Sequence, residues 1–191
     1  IGTTESAGLH FRPVPDGVFD RGGTATNRIE ARAVAEAVVA HARERPDRSL
    51  GVAAFSVAQR DAIRDELERL QRENPDLASF FSPSRPDAFF VKNLENIQGD
   101  ERDVIFISVG YGRDPDGRFA VQFGPLSMQG GERRLNVLIS RARERCEVFS
   151  SITDEDIDLG RARSRGAAAF KAFLRYARTG RLEARERPRE G

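Results

Sequence analysis

Residues 93–112, NLENIQGDERDVIFISVGYG, set amides, carboxylates and one glycine directly ahead of a run of β-forming residues. Polar groups crowded beside a strand this apolar suit a ligand site at the edge of a sheet. The cations point toward phosphate. Lysine occurs only at 92 and 171, so nearly all of the 31 basic side chains are arginine. An arginine fork donates two parallel hydrogen bonds to a phosphate or carboxylate, which an ammonium cannot do. Genomic base composition is the rival account of that bias. Arg133-Arg134 and Arg141-Ala142-Arg143 are basic runs, and such runs are usually a solvated helix face.

Other chemistries are excluded or weakened. The phosphate loop G-x-x-x-x-G-K-[ST] is absent, because neither lysine follows a glycine. Gly110-Tyr111-Gly112 begins like a dinucleotide fingerprint, but Pro115 stands where its third glycine belongs. The clustered carboxylates with a nearby lysine that a nuclease needs are missing. Thr153-Asp154-Glu155 after a strand imitates a magnesium carboxylate and reads as a cap or solvated turn. The single cysteine, Cys146, excludes an internal disulfide and a zinc cluster and reads as a buried thiol. His10 and His41 have no partner at metal-ligand spacing, so no metal site is expected. No stretch approaches the ~20 apolar residues of a membrane span, and a cytoplasmic location without membrane contact is the expectation.

The elements that must position these residues follow from hydrophobic period. Strands are expected at Leu9–Val14, Leu50–Phe55, Ala88–Lys92, Val104–Val109 and Cys146–Ser150. Asn27 can cap a helix over about Ile29–Glu44, with Ala33, Val34, Ala37, Val38 and Ala42 on one face. Ser56 caps a second, striped by Ile63, Leu67 and Leu70. A third helix ends near Arg143, and a fourth spans Gly166–Thr179 with Phe170, Phe173, Leu174 and Ala177 inward. Phe80, Phe81, Phe89 and Phe90 are read as core. Apolar strands alternating with amphipathic helices predict an α/β fold, a parallel sheet covered on both faces. Residues 1–180 form one domain in this reading, and 181–191 a charged tail or linker. In such a sheet the ligand lies beyond the carboxyl ends of the strands, where Ser56–Arg60, Asn93–Asp103 and Tyr111–Gly131 would gather.

Three segments in order carry a family resemblance. GVAAFSVAQRDAI, residues 51–63, resembles helicase motif IV. VKNLENIQGDERDVIFIS, residues 91–108, resembles motif V, and GGERRLNVLISRARERCEVFSS, residues 130–151, resembles motif VI. Together they resemble the C-terminal RecA-like domain of a superfamily-one helicase, of the large bacterial branch related to the nonsense-decay helicases. The likeness covers about residues 50–152 closely and the flanks more loosely.

The resemblance implies a second RecA-like domain that lacks the phosphate loop. ATP and Mg2+ would be held mainly by an N-terminal RecA-like domain of the same natural protein. It implies catalytic roles for Arg141, as arginine finger, and Arg60, as a second γ-phosphate contact. It places Glu101, Gln98, Gly99, Gln59 and Arg143 on the nucleotide side, with Glu101 facing a ribose hydroxyl. Asn93, Asn96 and Ser127 would meet single-stranded nucleic acid, DNA favoured over RNA. Phe55-Ser56 departs from the usual Pro-Tyr after motif IV, and Ser140 replaces the motif VI threonine. The competing reading is a non-catalytic α/β module that binds nucleic acid or protein, in which Arg60, Glu101 and Arg141 share no role.

Overall fold

The computed structural model describes residues 8–120, 122–161 and 164–180. The expected tail, 181–191, lies outside them. Five strands, β1 (Gly8–Pro13), β2 (Leu50–Ala54), β3 (Phe90–Asn93), β4 (Arg102–Ser108) and β5 (Ala142–Ser150), form one sheet in the order β1-β5-β4-β2-β3. Every pairing is parallel. Parallel neighbours need a crossover over a sheet face, so the central strands are covered on both sides. All five residues of β2 are buried. The RecA-like parallel fold expected from the sequence is thereby borne out.

Helices α1 (Arg28–Glu44) and α2 (Val57–Glu73) cover one face, where Val34, Val38 and Ile63 pack with Val52, Phe106 and Phe149. Helices α3 (Gly131–Ile139) and α4 (Arg165–Thr179) cover the other, where Leu138 and Phe170 pack with Ile105 and Ile107. The caps are those the sequence announces. The Asn27 side chain accepts from the backbone of Glu30, and Ser56 from that of Gln59. Ion pairs Arg69–Glu73 (2.8 Å) and Arg72–Glu68 (2.9 Å) lace the wet side of α2, each worth only tenths of a kcal/mol. Phe80 and Phe90 are core residues, and Phe81 and Phe89 pack partly buried beside them. His41 is buried against Phe80 and Phe106 and bonds to the Arg48 carbonyl, so it is a core histidine. Burial pushes the Cys146 thiol up to about 12. No helix among the described residues is long and apolar enough to cross a membrane.

Several details differ from expectation, among them β3, which is Phe90–Asn93 rather than Ala88–Lys92. The third helix does not reach Arg143. It ends at Ile139, because the chain turns at Ser140–Arg141 and the Arg141 carbonyl accepts from Arg102 N at 3.0 Å. That bond draws β4 and β5 out to Arg102 and Ala142. On α1 the buried stripe is Ala31, Val34, Ala35, Val38, His41 and Ala42, together with Glu30, while Ala33 and Ala37 are only partly buried.

At Gly166, in the first turn of α4, a Cβ would collide with the carbonyl oxygen of Leu126, which also crowds Gly131 of α3. Overpacking a tight site costs about 1–3 kcal/mol. Gly166→Ala should therefore lose at least about 2 kcal/mol in urea unfolding of this chain, although alanine is the better helix former. A neutral substitution would mean that α4 does not rest on this loop.

Candidate functional site

The polar residues gather at both ends of the sheet. At the amino end, β5 carries one more residue than β4 between the pairs Arg102–Ala142 and Val104–Arg145. Such a bulge re-aims side chains, and here Arg143 occupies it. The Arg143 guanidinium lies 2.7 Å from Asp87 and 3.4 Å from Asp103. Asp103 also accepts from the backbone and hydroxyl of Ser49 at 2.8 and 3.0 Å. Burial works to raise its pKa, but the bonds from Ser49 and Arg143 outweigh burial and hold the carboxyl below its ordinary value. Asp87 has φ +53, uncommon for a non-glycine residue, and the Arg143 bond lowers its pKa too. Arg102 reaches back to the Ala88 carbonyl and lies over the Phe90 ring at 4.8 Å.

Glu101 sits where this cluster meets solvent. It is half exposed and lies 3.9 Å from both Arg141 and Arg143. Arg141 has few other bonds, to Ser140 Oγ and the Val137 carbonyl. Its guanidinium is thus placed but weakly engaged, since exposed ion pairs contribute at most ~1 kcal/mol. The structure therefore brings together Glu101, Arg141 and Arg143. Gln98 is exposed on the preceding turn. Gly99 has φ +88 with open space around it, so its requirement is conformational rather than steric.

Arg60 lies elsewhere. It is in the first turn of α2, which leaves the carboxyl end of β2, and it pairs with Asp61 at 2.8 Å. Among the described residues no hydrogen bond or ion pair joins it to Glu101 or Arg141. Gln59 is not on a solvent-facing surface at all. It is fully buried, accepts from Asn27 N (2.8 Å), and donates to the Asn27 carbonyl (3.1 Å) and Ser108 Oγ (3.2 Å). Both ends of its amide are thus committed inside the fold. Asn93 ends β3 and is buried, accepting from exposed Asn96 at 2.7 Å. Ser127 accepts from Phe123 N and borders a cavity of about 590 Å³ with Gly130, Arg133 and Arg165. Asp154, the imitation magnesium ligand, is buried and paired with Arg175 and Arg178 of α4, and Thr153 caps its turn. No group of three or more potential metal ligands occurs among the described residues.

Sequence reasoning missed Glu30. It is fully buried, and its Oε1 accepts from Ser108 Oγ (2.6 Å) and Gly110 N (2.7 Å). Oε2 is buried without a hydrogen-bond partner. Three residues after an N-cap asparagine, a glutamate is expected to turn back to the cap's own N–H. Gln59 already occupies that N–H, and Ile29, the apolar neighbour, is the exposed one.

Burial raises the Glu30 pKa to about 7, against 4.5 in the unfolded chain. The group therefore binds a proton on folding, and its contribution to stability is full below pH ~4.5 and lost as pH rises through about 7. At 1.36 kcal/mol per unit the decline is about 3 kcal/mol. Urea unfolding across pH 4–8 should show this fall in the native chain and a flatter profile in Glu30→Gln. Parallel profiles would place the ionisation elsewhere.

An AAA domain family, AAA_12, matches residues 15–153. The uncharacterized ATP-dependent helicase MG140 of Mycoplasma genitalium is 38% identical over 133 residues, 68% of this chain. Its homolog in Mycoplasma pneumoniae is 37% identical over the same length. The match spans only 11% of each of those proteins. The solved C-terminal domain of a possible DNA helicase from Lactobacillus plantarum WCFS1 superposes with a TM-score of 0.41 at 12% identity, covering 75% of this chain and 73% of that one. So loose a superposition carries no functional weight.

Proposed function

This chain belongs to the AAA_12 family of AAA domains, and from that premise we propose that it is the C-terminal motor domain of an ATP-dependent superfamily-one helicase or translocase. The observation that carries the reading is the amino-end cluster. Arg141, Arg143 and Glu101 come from motifs far apart in sequence, yet lie within 4 Å of one another in pairs through Glu101. A partly exposed, weakly engaged guanidinium beside a clamped one suits a group that must swing onto a phosphate supplied from outside. Arg141 is the finger: its charge stabilises negative charge that develops on the transferring phosphoryl group. Glu101 offers a carboxylate to a ribose hydroxyl. Arg143, held by Asp87 and Asp103, keeps Glu101 and the end of the helix in place.

When bound, ATP would supply the phosphoryl group and Mg2+ would neutralise charge on its oxygens. The arginines fit the phosphates, whereas this chain gathers no carboxylates for the metal among its described residues. In this reading both ligands would be held mainly by an N-terminal RecA-like domain of the same natural protein, and this chain alone should not turn over ATP. Arg60, beyond the carboxyl end of β2, stands at the opposite end of the sheet from Arg141, so one phosphate does not meet both and the finger role is proposed for Arg141 alone. The carboxyl-end loops with Asn96 and Ser127 take single-stranded nucleic acid, DNA favoured over RNA, through backbone contacts rather than base reading.

In the full-length protein Arg141→Ala should slow ATP turnover by ~10³-fold and leave the affinity for a single-stranded oligonucleotide within about twofold. The check is steady-state ATPase beside fluorescence anisotropy. Full turnover in the variant would remove Arg141 from the reaction and favour a non-catalytic binding module.

A further inference from the structure

Loops leaving three adjacent strands meet at the carboxyl end of the sheet. Arg21 lies in the turn after β1, and Phe19 N there bonds to the Arg113 carbonyl at 2.8 Å. Arg113 and Phe119 pair as an antiparallel bridge just beyond β4. The turn at Asp154–Asp156 and the residues to Arg161 follow β5. Together they border a cavity of about 600 Å³, with Arg21, Arg113, Arg118 and Arg161 facing Asp156 and Asp158. Four guanidinium groups less two carboxylates leave the lining at +2.

The carboxylates are occupied. Asp156 accepts from Thr153 N at 2.8 Å and from Arg113 at 2.7 Å. Asp158 accepts from Gly160 N at 2.8 Å. The arginines are less so. Arg118 has only a 3.9 Å pair with Asp116, both well exposed. Among the described residues the side chains of Arg21 and Arg161 have no hydrogen-bond or ion-pair partner. The scaffold beneath them is nonetheless ordered. Asp114 accepts from the backbone of Asp116 and Arg118, and its own N–H donates to the Arg118 carbonyl. Phe119 forms an apolar wall backed by Phe123 at 5.9 Å.

We propose that this cavity seats the sugar-phosphate backbone of single-stranded nucleic acid. The proposal rests on the motor reading and adds residues outside motifs IV, V and VI to it. Guanidinium forks match phosphate oxygens, and cations beside an aromatic wall are the usual build of a strand groove. The four arginines stand on three loops, Arg113 and Arg118 sharing one, which suits successive phosphates of a polymer better than one mononucleotide. At ~4.8 Å per strand, the edge from β3 to β1 is roughly 19 Å wide. The cavity therefore extends the path away from Asn96, at the β3 end, to the far side of the sheet.

The test is anisotropy of labelled dT and rU oligomers on the full-length protein across a salt series, comparing wild type with Arg21→Ala/Arg161→Ala. Both positions are exposed, so folding should be untouched. The double variant should bind both oligomers at least ~10-fold more weakly. Its slope of log affinity against log salt should be shallower by roughly 1.4, about 0.7 per lost phosphate contact. An unchanged affinity and slope would remove the seat and leave the motor standing. A wild-type protein that binds neither oligomer would remove both. A poly-glutamate peptide losing more affinity than either oligomer would assign the cavity to an acidic protein partner instead.

Discussion

One buried amide holds the working face of this domain together. Gln59 closes a two-way hydrogen-bonded pair with the backbone of Asn27, so the first turns of α1 and α2 are fastened side by side, and through Ser108 both are fixed to the end of the central strand β4. Burying an amide without partners costs several kcal/mol, and here every arm is used. That saturation makes the junction specific to one arrangement. Arg60 is the next residue, so its direction is set by a neighbour that never touches solvent. Glu30 extends the same network to Gly110, where the chain leaves the sheet for the long glycine-rich loop.

The two ends of the sheet follow different physics. At the carboxyl end the polar groups are internal and, Glu30 Oε2 apart, mutually satisfied, with the exposed arginines mounted on the loops beyond. At the amino end, charge is shared loosely among half-exposed side chains, and one extra residue in β5 turns Arg143 onto Asp87 and Asp103. A tight junction at one end and a loose one at the other suit a domain that must hold its shape while one of its surfaces changes partner.

Much of this fold is legible in the sequence. Runs such as Val104–Ile107 permit no exposed face, and Asn27 and Ser56 announce their helices by side-chain chemistry alone. The resemblance drawn from three ordered motifs is borne out by the AAA_12 match across residues 15–153. What stays hidden depends on contacts distant in sequence. Nothing local marks Glu30 as buried and Ile29 as exposed, because the decision lies with Gln59, 29 residues further along. The end of α3 is not legible because Ser140-Arg141 has no breaker, and it is Arg102 N that recruits the chain into the sheet. Gln59 sits beside a candidate phosphate arginine, and adjacency suggests a companion, although one residue of helix turns a side chain by ~100°. The arginine cavity is invisible in the sequence since its residues come from three loops, none of which is basic taken alone.

Cys146 has a consequence for experiments on moving parts. The residue is 3% exposed, and with its pKa at about 12 almost none of the sulfur is thiolate at neutral pH. Thiolate is the reactive species, so this chain behaves toward maleimides and mild oxidants as though it had no cysteine. A dye or spin label attached to one introduced surface cysteine would report a single position, with the native thiol left in place.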